Sequence, residues 1–471
     1  MRLHPDSLLC RLLLVAGVAL CCVTPTLADE AAITEVSYYR AVRPVLQRNC
    51  SGCHFAARKQ GELAVTTVPE LLAGGVSGPA VIADKPDDSP LVQYISGPEP
   101  EMPLNAEALA PREVDLIRSW IAAGAKDDTP ASLGAVISQE NPPTYTRQPL
   151  VTSLDYSPDG TLLAVSAYHE VQLLSLSGET PSRRLIGRAQ RIESLAFSPD
   201  GKLLAVAGGT PALFGELQIW NVAEGTLLHS LNFGFDSLFG VCFNDDGTLI
   251  SFGTADNGVL VVRAESGELQ MRMDAHADWV LGTTFSLKND HVISVSRDRS
   301  MKLAILENGQ FVDNITSITP GALKGGLTDV QRIPDKEEVL SIGADGTPRL
   351  YRIFREQDRK IGDDFNLIRG YQALNGRLTD LDLNKSGKRF VVGASTATSG
   401  SAMISSVDDP NAVVMLEGIW SPVYAVSFHP QETEVAVAGF DGVIRFFNAA
   451  DGKLISERPA VTLSNITAAN N

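Results

Sequence analysis

Two patterns of apolar positions divide the chain. Between residues 36 and 124 they recur at helical spacing. In "TEVSYYRAVRPVLQRN", Val36, Tyr39, Val42 and Leu46 fall on one face, and Pro44 is expected to kink or restart that helix. In "APREVDLIRSWIAAGA", Pro111 is an early helical residue, Val114, Ile117, Trp120 and Ile121 share a face, and Gly124 is a stop. From about residue 150 the period falls to two. "LDYSPDGTLLAVSA" and "LAFSPDGKLLAVAG" are nearly one sentence written twice, and weaker copies follow: "VCFNDDGTLISFG", "TFSLKNDHVISVS", "QRIPDKEEVLSIG", "LDLNKSGKRFVVG" and "VSFHPQETEVAVAG". Seven copies, roughly 41 to 51 residues apart, predict a seven-bladed β-propeller with four strands per blade. In each S-P-D-G, Pro158 or Pro199 presets the turn between a blade's first two strands, and Gly160 or Gly201 accepts a positive φ.

The expected fold class is therefore multidomain: a small all-α domain followed by an all-β propeller. "LLLVAGVALCCV" (Leu12–Val23), preceded by Arg2 and Arg11 and followed by small residues at Thr26 and Ala28, reads as a signal peptide over 1–28. The small helical domain is expected over 29–128. A polar, proline-bearing stretch over 129–147 reads as a linker, 148–463 is the propeller and 464–471 a tail. The mature chain is thus expected to be exported, periplasmic or otherwise extracytoplasmic, with no transmembrane segment.

Charge narrows the partners. A formal net charge of −17 over 471 residues argues against nucleic acid. It favours a protein partner with a basic contact patch. Of six cysteines, cleavage after Ala28 would leave Cys50, Cys53 and Cys242, too few for a disulfide framework.

Two of those three carry the chemistry. Cys50-Ser51-Gly52-Cys53-His54 is a C-x-x-C-H motif, the attachment pattern of one covalent haem c. Each thiol adds across a vinyl group, two intervening residues let one turn of backbone reach both, and His54 supplies an axial nitrogen to the iron. A redox dithiol would need a βαβ setting, whereas a helical pattern precedes the motif; a zinc site would need further Cys or His, and residues 55–168 hold neither. Between Ala28 and the repeats Met102 is the only methionine, in the proline-rich "GPEPEMPLN", and becomes the candidate second axial ligand. A five-coordinate iron or a lysine ligand are the alternatives. "AGGVSGPA" lacks the G-K-[ST] ending of a phosphate loop and reads as turns.

Residues 37–126 resemble the planctomycete-type cytochrome c domain, through "YYRAVRPVLQRNCSGCH", "LLAGGVSGPAVIADKPDDSPLVQYI", "EMPL" and "EVDLIRSWIAAGA" in that order. The resemblance implies haem at Cys50 and Cys53 with His54 and Met102 axial; Leu104 stands where members often have a second proline. Residues 150–460 resemble the WD40 family. Trp220 and Phe447 fill its aromatic slot on the third strand, while Ala304 departs from it. In that family a set such as His276, Ser294 and Asp298 is structural; a hydrolase triad would need a nucleophile elbow that the sequence lacks. His169, His229, His291 and His429 show no ligand spacing, and Cys242 falls where sister repeats have Ala196, Thr284 and Ser427. No convergent set of ionisable groups is visible in the repeats. The favoured reading is an electron carrier whose propeller docks a redox partner. The alternative is an oxidoreductase whose propeller holds a second cofactor or a substrate site.

Overall fold

The computed structural model describes residues 36–50, 53–55, 58–104, 107–129, 137–139, 141–176, 182–317, 323–360, 362 and 364–464. The expected signal peptide over 1–28, residues 130–136 and 140 of the expected linker and all but Ser464 of the expected tail lie outside them. The N-terminal unit is small and only weakly helical: α1 (Arg43–Asn49), α2 (Val68–Ala73), α3 (Pro90–Ile95) and α4 (Pro111–Ala122), with a two-stranded pair, His54–Phe55 against Arg58–Lys59. The expectation of an all-α unit is not clearly met, since the helices are few and short and a strand pair accompanies them.

Local chemistry sets these helices. Thr67 and Glu70 form a reciprocal capping box at α2, with Glu70 N donating to Thr67 Oγ1 (3.3 Å) and Thr67 N to Glu70 Oε2 (3.0 Å). Pro44 restarts the first helix, as expected: a π-helical turn, Tyr38–Val42, runs into α1 at Arg43. That wider turn has a consequence for the core. It adds a residue to the turn, so Tyr38 is buried (1% exposed) where a regular helix would have buried Tyr39. Tyr38 packs on Trp120 of α4 at 5.2 Å between ring centroids, within a core that includes Val42, Leu46, Leu71, Ile117 and Ile121. The Gly-rich segment is indeed a turn. A Cβ on Gly74 (φ +75°) would lie 1.8 Å from the Gly78 carbonyl oxygen, so only glycine fits.

Seven four-stranded antiparallel sheets follow, each built from four consecutive strands: 154–186, 191–233, 238–273, 280–314, 327–370, 377–415 and 423–459. The first strands neighbour one another around the ring, and Val423–Phe428 of blade seven meets Leu154–Tyr156 of blade one. Each S-P-D-G turn is wired alike. Leu162 N donates to Ser157 Oγ (2.9 Å), Ser157 Oγ donates to Asp159 Oδ1 (2.6 Å) and Gly160 has φ +73°. Leu203, Ser198, Asp200 and Gly201 repeat the arrangement. Trp220 and Phe447 are buried in their third strands, as the repeat pattern requires.

Among the described residues no strand is exchanged to close the ring. The outer strand of blade seven, Leu454–Pro459, is its own C-terminal strand. Closure is made instead by the segments that flank the propeller. Val151 N donates to Gly439 O (3.0 Å), Gln148 exchanges side-chain bonds with the Val461 backbone, and Ser464 N donates to Tyr145 O (2.8 Å). A shared core joins Leu154, Tyr156 and Leu163 to Ala436, Ile444 and Phe446.

Candidate haem site and propeller axis

The C-x-x-C-H motif starts where α1 stops. Cys50 is the C-cap residue, its N–H donating to Leu46 O (2.8 Å). Cys53 N and His54 N then both donate to Cys50 O, at 3.2 and 3.1 Å, so the backbone amides of both residues share a single peptide carbonyl. Cys50 packs against the N-terminal core, and burial pushes its thiol up to about 11; Cys53 is exposed. His54 Nδ1 is buried without a hydrogen-bond partner among the described residues. Met102 packs against the same core as Cys50, and its N–H donates to Tyr94 O (3.0 Å), tying the Met102 loop to the end of α3.

Cys50 and Met102 therefore pack on one core, and the amides of Cys53 and His54 bond to the Cys50 carbonyl. These residues fit a covalently held haem on two grounds. An enclosed ring nitrogen with no partner is what a missing neighbour leaves behind. The donor set itself, two thiols, an imidazole and a thioether, is the one such a group uses. Exposed Glu99, Glu101 and Glu107 flank the Met102 loop, an acidic collar that the motif reading had not singled out.

The propeller holds two further groups of interest. In blade four His276, only 7% exposed, bonds through Nδ1 to Asp298 Oδ2 (2.9 Å) and through Nε2 to Ser294 Oγ (2.8 Å). Burial alone would raise the Asp298 carboxyl, but bonds from His276, Ser300 and the Ala277 N–H outweigh it and hold the group well below the usual range. Ser294 is fully buried, so its hydroxyl meets no substrate and the set is a structural network. Cys242 is a strand residue whose thiol burial keeps protonated, raised to about 12. His429 packs edge-on to Tyr156 between blades seven and one.

Along the axis the structure corrects the expectation that no ionisable groups converge. A cavity of about 870 Å³ runs between the first strands, lined by Asp155, Asp329, Asp380 and Asp382 and by several arginines. The aspartates staple blades together. Asp155 accepts from Phe197 N, Asp380 from Val426 N and Asp382 from Phe428 N, each at 2.7 Å and each in the next blade. Burial pushes Asp329 up to about 7 and Asp382 to about 6, and raises Asp155 and Asp380 well above the usual range. Sequence reasoning missed this group because the residues come from separate repeats. The one available signal was their shared register, since Asp155 and Asp382 occupy the place of Cys242 in their own repeats.

The described chain thus joins a small unit carrying the C-x-x-C-H residues to a seven-bladed propeller. Residues 50–103 match the planctomycete cytochrome c family, a span that opens on Cys50 and includes Cys53, His54 and Met102. Residues 179–210 and 412–448 match the WD domain, G-beta repeat, in blades one to two and six to seven. The chain is thus similar to planctomycete cytochrome c at its N-terminus and to WD40 repeats within a seven-bladed propeller. Among the described residues no helix is long and apolar enough to cross a membrane.

Proposed function

We propose that the protein is an extracytoplasmic electron carrier, with a c-type cytochrome domain over 29–128 joined through 129–147 to a propeller over 148–463 that docks its redox partner. The observation that carries this is the convergence of Cys50 and Met102 on one core, with His54 held on the Cys50 carbonyl. Cys50 and Cys53 would hold one haem covalently, and His54 and Met102 would be its axial ligands. When bound, that group supplies reversible one-electron chemistry, at a potential raised by thioether ligation. The protein's part is to exclude water and fix the ligands. The Tyr38–Trp120 core backs the motif, the capped end of α1 positions the thiols, and the Tyr94 carbonyl restrains the loop of Met102. Glu99, Glu101 and Glu107 give that loop an acidic surface suited to a partner's basic patch.

The axial cavity supports a second reading, an oxidoreductase whose propeller holds another cofactor or a substrate. Both are tested on the mature protein. Haem staining after denaturing electrophoresis should label the band, and acid–acetone should leave the haem attached. Its complete extraction would overturn covalent attachment. A second stoichiometric cofactor in the full chain would favour the oxidoreductase.

A further inference from the structure

The two ends of the axial cavity differ. At one end, where the first strands finish, Arg332 of blade five reaches Asp245 of blade three (2.6 Å), so that guanidinium is already satisfied. At the other end, where the first strands begin, three arginines gather. Arg191 pairs with Glu193 (3.1 Å) and Arg297 loosely with Asp278 (3.4 Å), while the Arg377 guanidinium has no hydrogen bond or ion pair among the described residues. Arg377 is exposed to solvent, but the protein packed around it and the charge of Arg297 both disfavour its cationic form. Two like charges held together at a cavity mouth are stabilised by an incoming anion.

The same mouth has an aromatic wall. Arg297 lies over the Trp279 ring at 4.5 Å, Trp279 stacks on Phe239 at 5.5 Å and 20°, and Tyr424 also lines the cavity. Phe235, Trp420 and Phe440 stand exposed (51%, 65% and 65%) on loops at this same end. The carboxylates deeper in the cavity do not make it a cation site: Asp380 and Asp382 are engaged by amides of the next blade, and Val330 N donates to Asp329 Oδ1.

We infer that this mouth is a binding site for an acidic polypeptide segment of a partner protein, which sets a carboxylate between Arg297 and Arg377 and apolar side chains against Trp279, Phe239 and Tyr424. The inference rests on the docking reading of the propeller and adds the chemistry of what docks. It is distinct from the acidic collar beside Met102, which suits a basic surface. A polypeptide is favoured over a free anion because the guanidiniums are backed by a deep aromatic wall and ringed by exposed aromatic side chains, more apolar surface than a small anion covers.

The test is fluorescence anisotropy on the full chain with a fluorescein-labelled peptide of alternating Leu and Glu, beside its Leu/Gln counterpart. The acidic peptide should bind saturably and the neutral one at least tenfold more weakly. Arg297→Gln with Arg377→Gln should weaken the acidic peptide by roughly ten- to a hundredfold, as loss of charge-assisted bonds predicts. Lys202→Gln, at the opposite end of the blades, should change nothing. Circular dichroism melting of each variant separates lost binding from lost folding. Equal binding of both peptides, or acidic binding unchanged by the arginine substitutions in folded protein, overturns the inference. So does glutarate binding as tightly as the peptide, or self-association of the chain that the arginine substitutions abolish. Partner retention that persists in the double variant would leave the docking reading standing while this one fell.

Discussion

At the scale of single residues, the motif divides labour between two chemically similar thiols. Cys50 is packed on the core and pushed up to about 11, while Cys53 is exposed. Since the thiolate is the reactive form, haem-free protein treated with iodoacetamide near pH 8 should be alkylated at Cys53 first. Cys50 should lag until the pH approaches 11 or the domain unfolds. Peptide mapping by mass spectrometry checks the order, and faster labelling of Cys50 would show that its burial is transient. Met102→Ala tests the axial assignment. Removing a thioether that favours the ferrous state should lower the potential by on the order of 0.1–0.3 V and convert low-spin iron to high-spin. An unchanged spectrum and potential would assign the sixth position elsewhere.

Elements whose cause is local were the legible ones. The S-P-D-G turns could be read because Ser157, Asp159 and Gly160 bond within five residues of one another, and seven copies gave the blade count directly. The phase of the first helix was not legible. Its π-helical turn, Tyr38–Val42, moves one residue's worth of rotation into the core and exchanges Tyr39 for Tyr38, a choice made by packing on Trp120. C-S-G-C-H was legible as a contiguous motif, whereas the arginine mouth needed residues from blades two, four and six to meet. Blade four lies between these extremes: His276, Ser294 and Asp298 were visible as a set, but their role depended on burial. His276→Ala leaves Ser294 Oγ without its imidazole partner and removes the strongest bond to Asp298. A loss of about 2–4 kcal/mol is expected, and with it a drop of several degrees in the propeller's melting temperature. A change near zero would mean that water replaces the imidazole.

For the whole molecule, the axial aspartates make the propeller's stability depend on pH in an unusual sense. Asp329 sits at about 7 and Asp382 at about 6, against about 3.9 for an unfolded aspartate, and Asp380, Asp155 and Glu193 are also raised. A carboxyl raised on folding binds its proton more tightly in the native state. Its contribution is therefore fully present below about pH 4 and is lost as pH rises through 6 to 7. Half-buried His169, whose titration is pushed down by desolvation, works the opposite way and costs stability as pH falls below about 6.5. Asp298, held low by its bonds, loses its contribution only under strong acid. The aspartate effect is thus best isolated by difference. Asp329→Asn keeps an acceptor for the Val330 amide and removes the charge facing Asp380 and Asp382. At pH 8 it should stabilise the propeller by about 1–3 kcal/mol, and the gain should shrink steadily to near zero by pH 4.5. Denaturant unfolding followed by circular dichroism at a series of pH values measures that difference. A gain that is constant with pH would trace to packing, and a gain that grows on acidification would reverse the sign argued for the axial carboxylates.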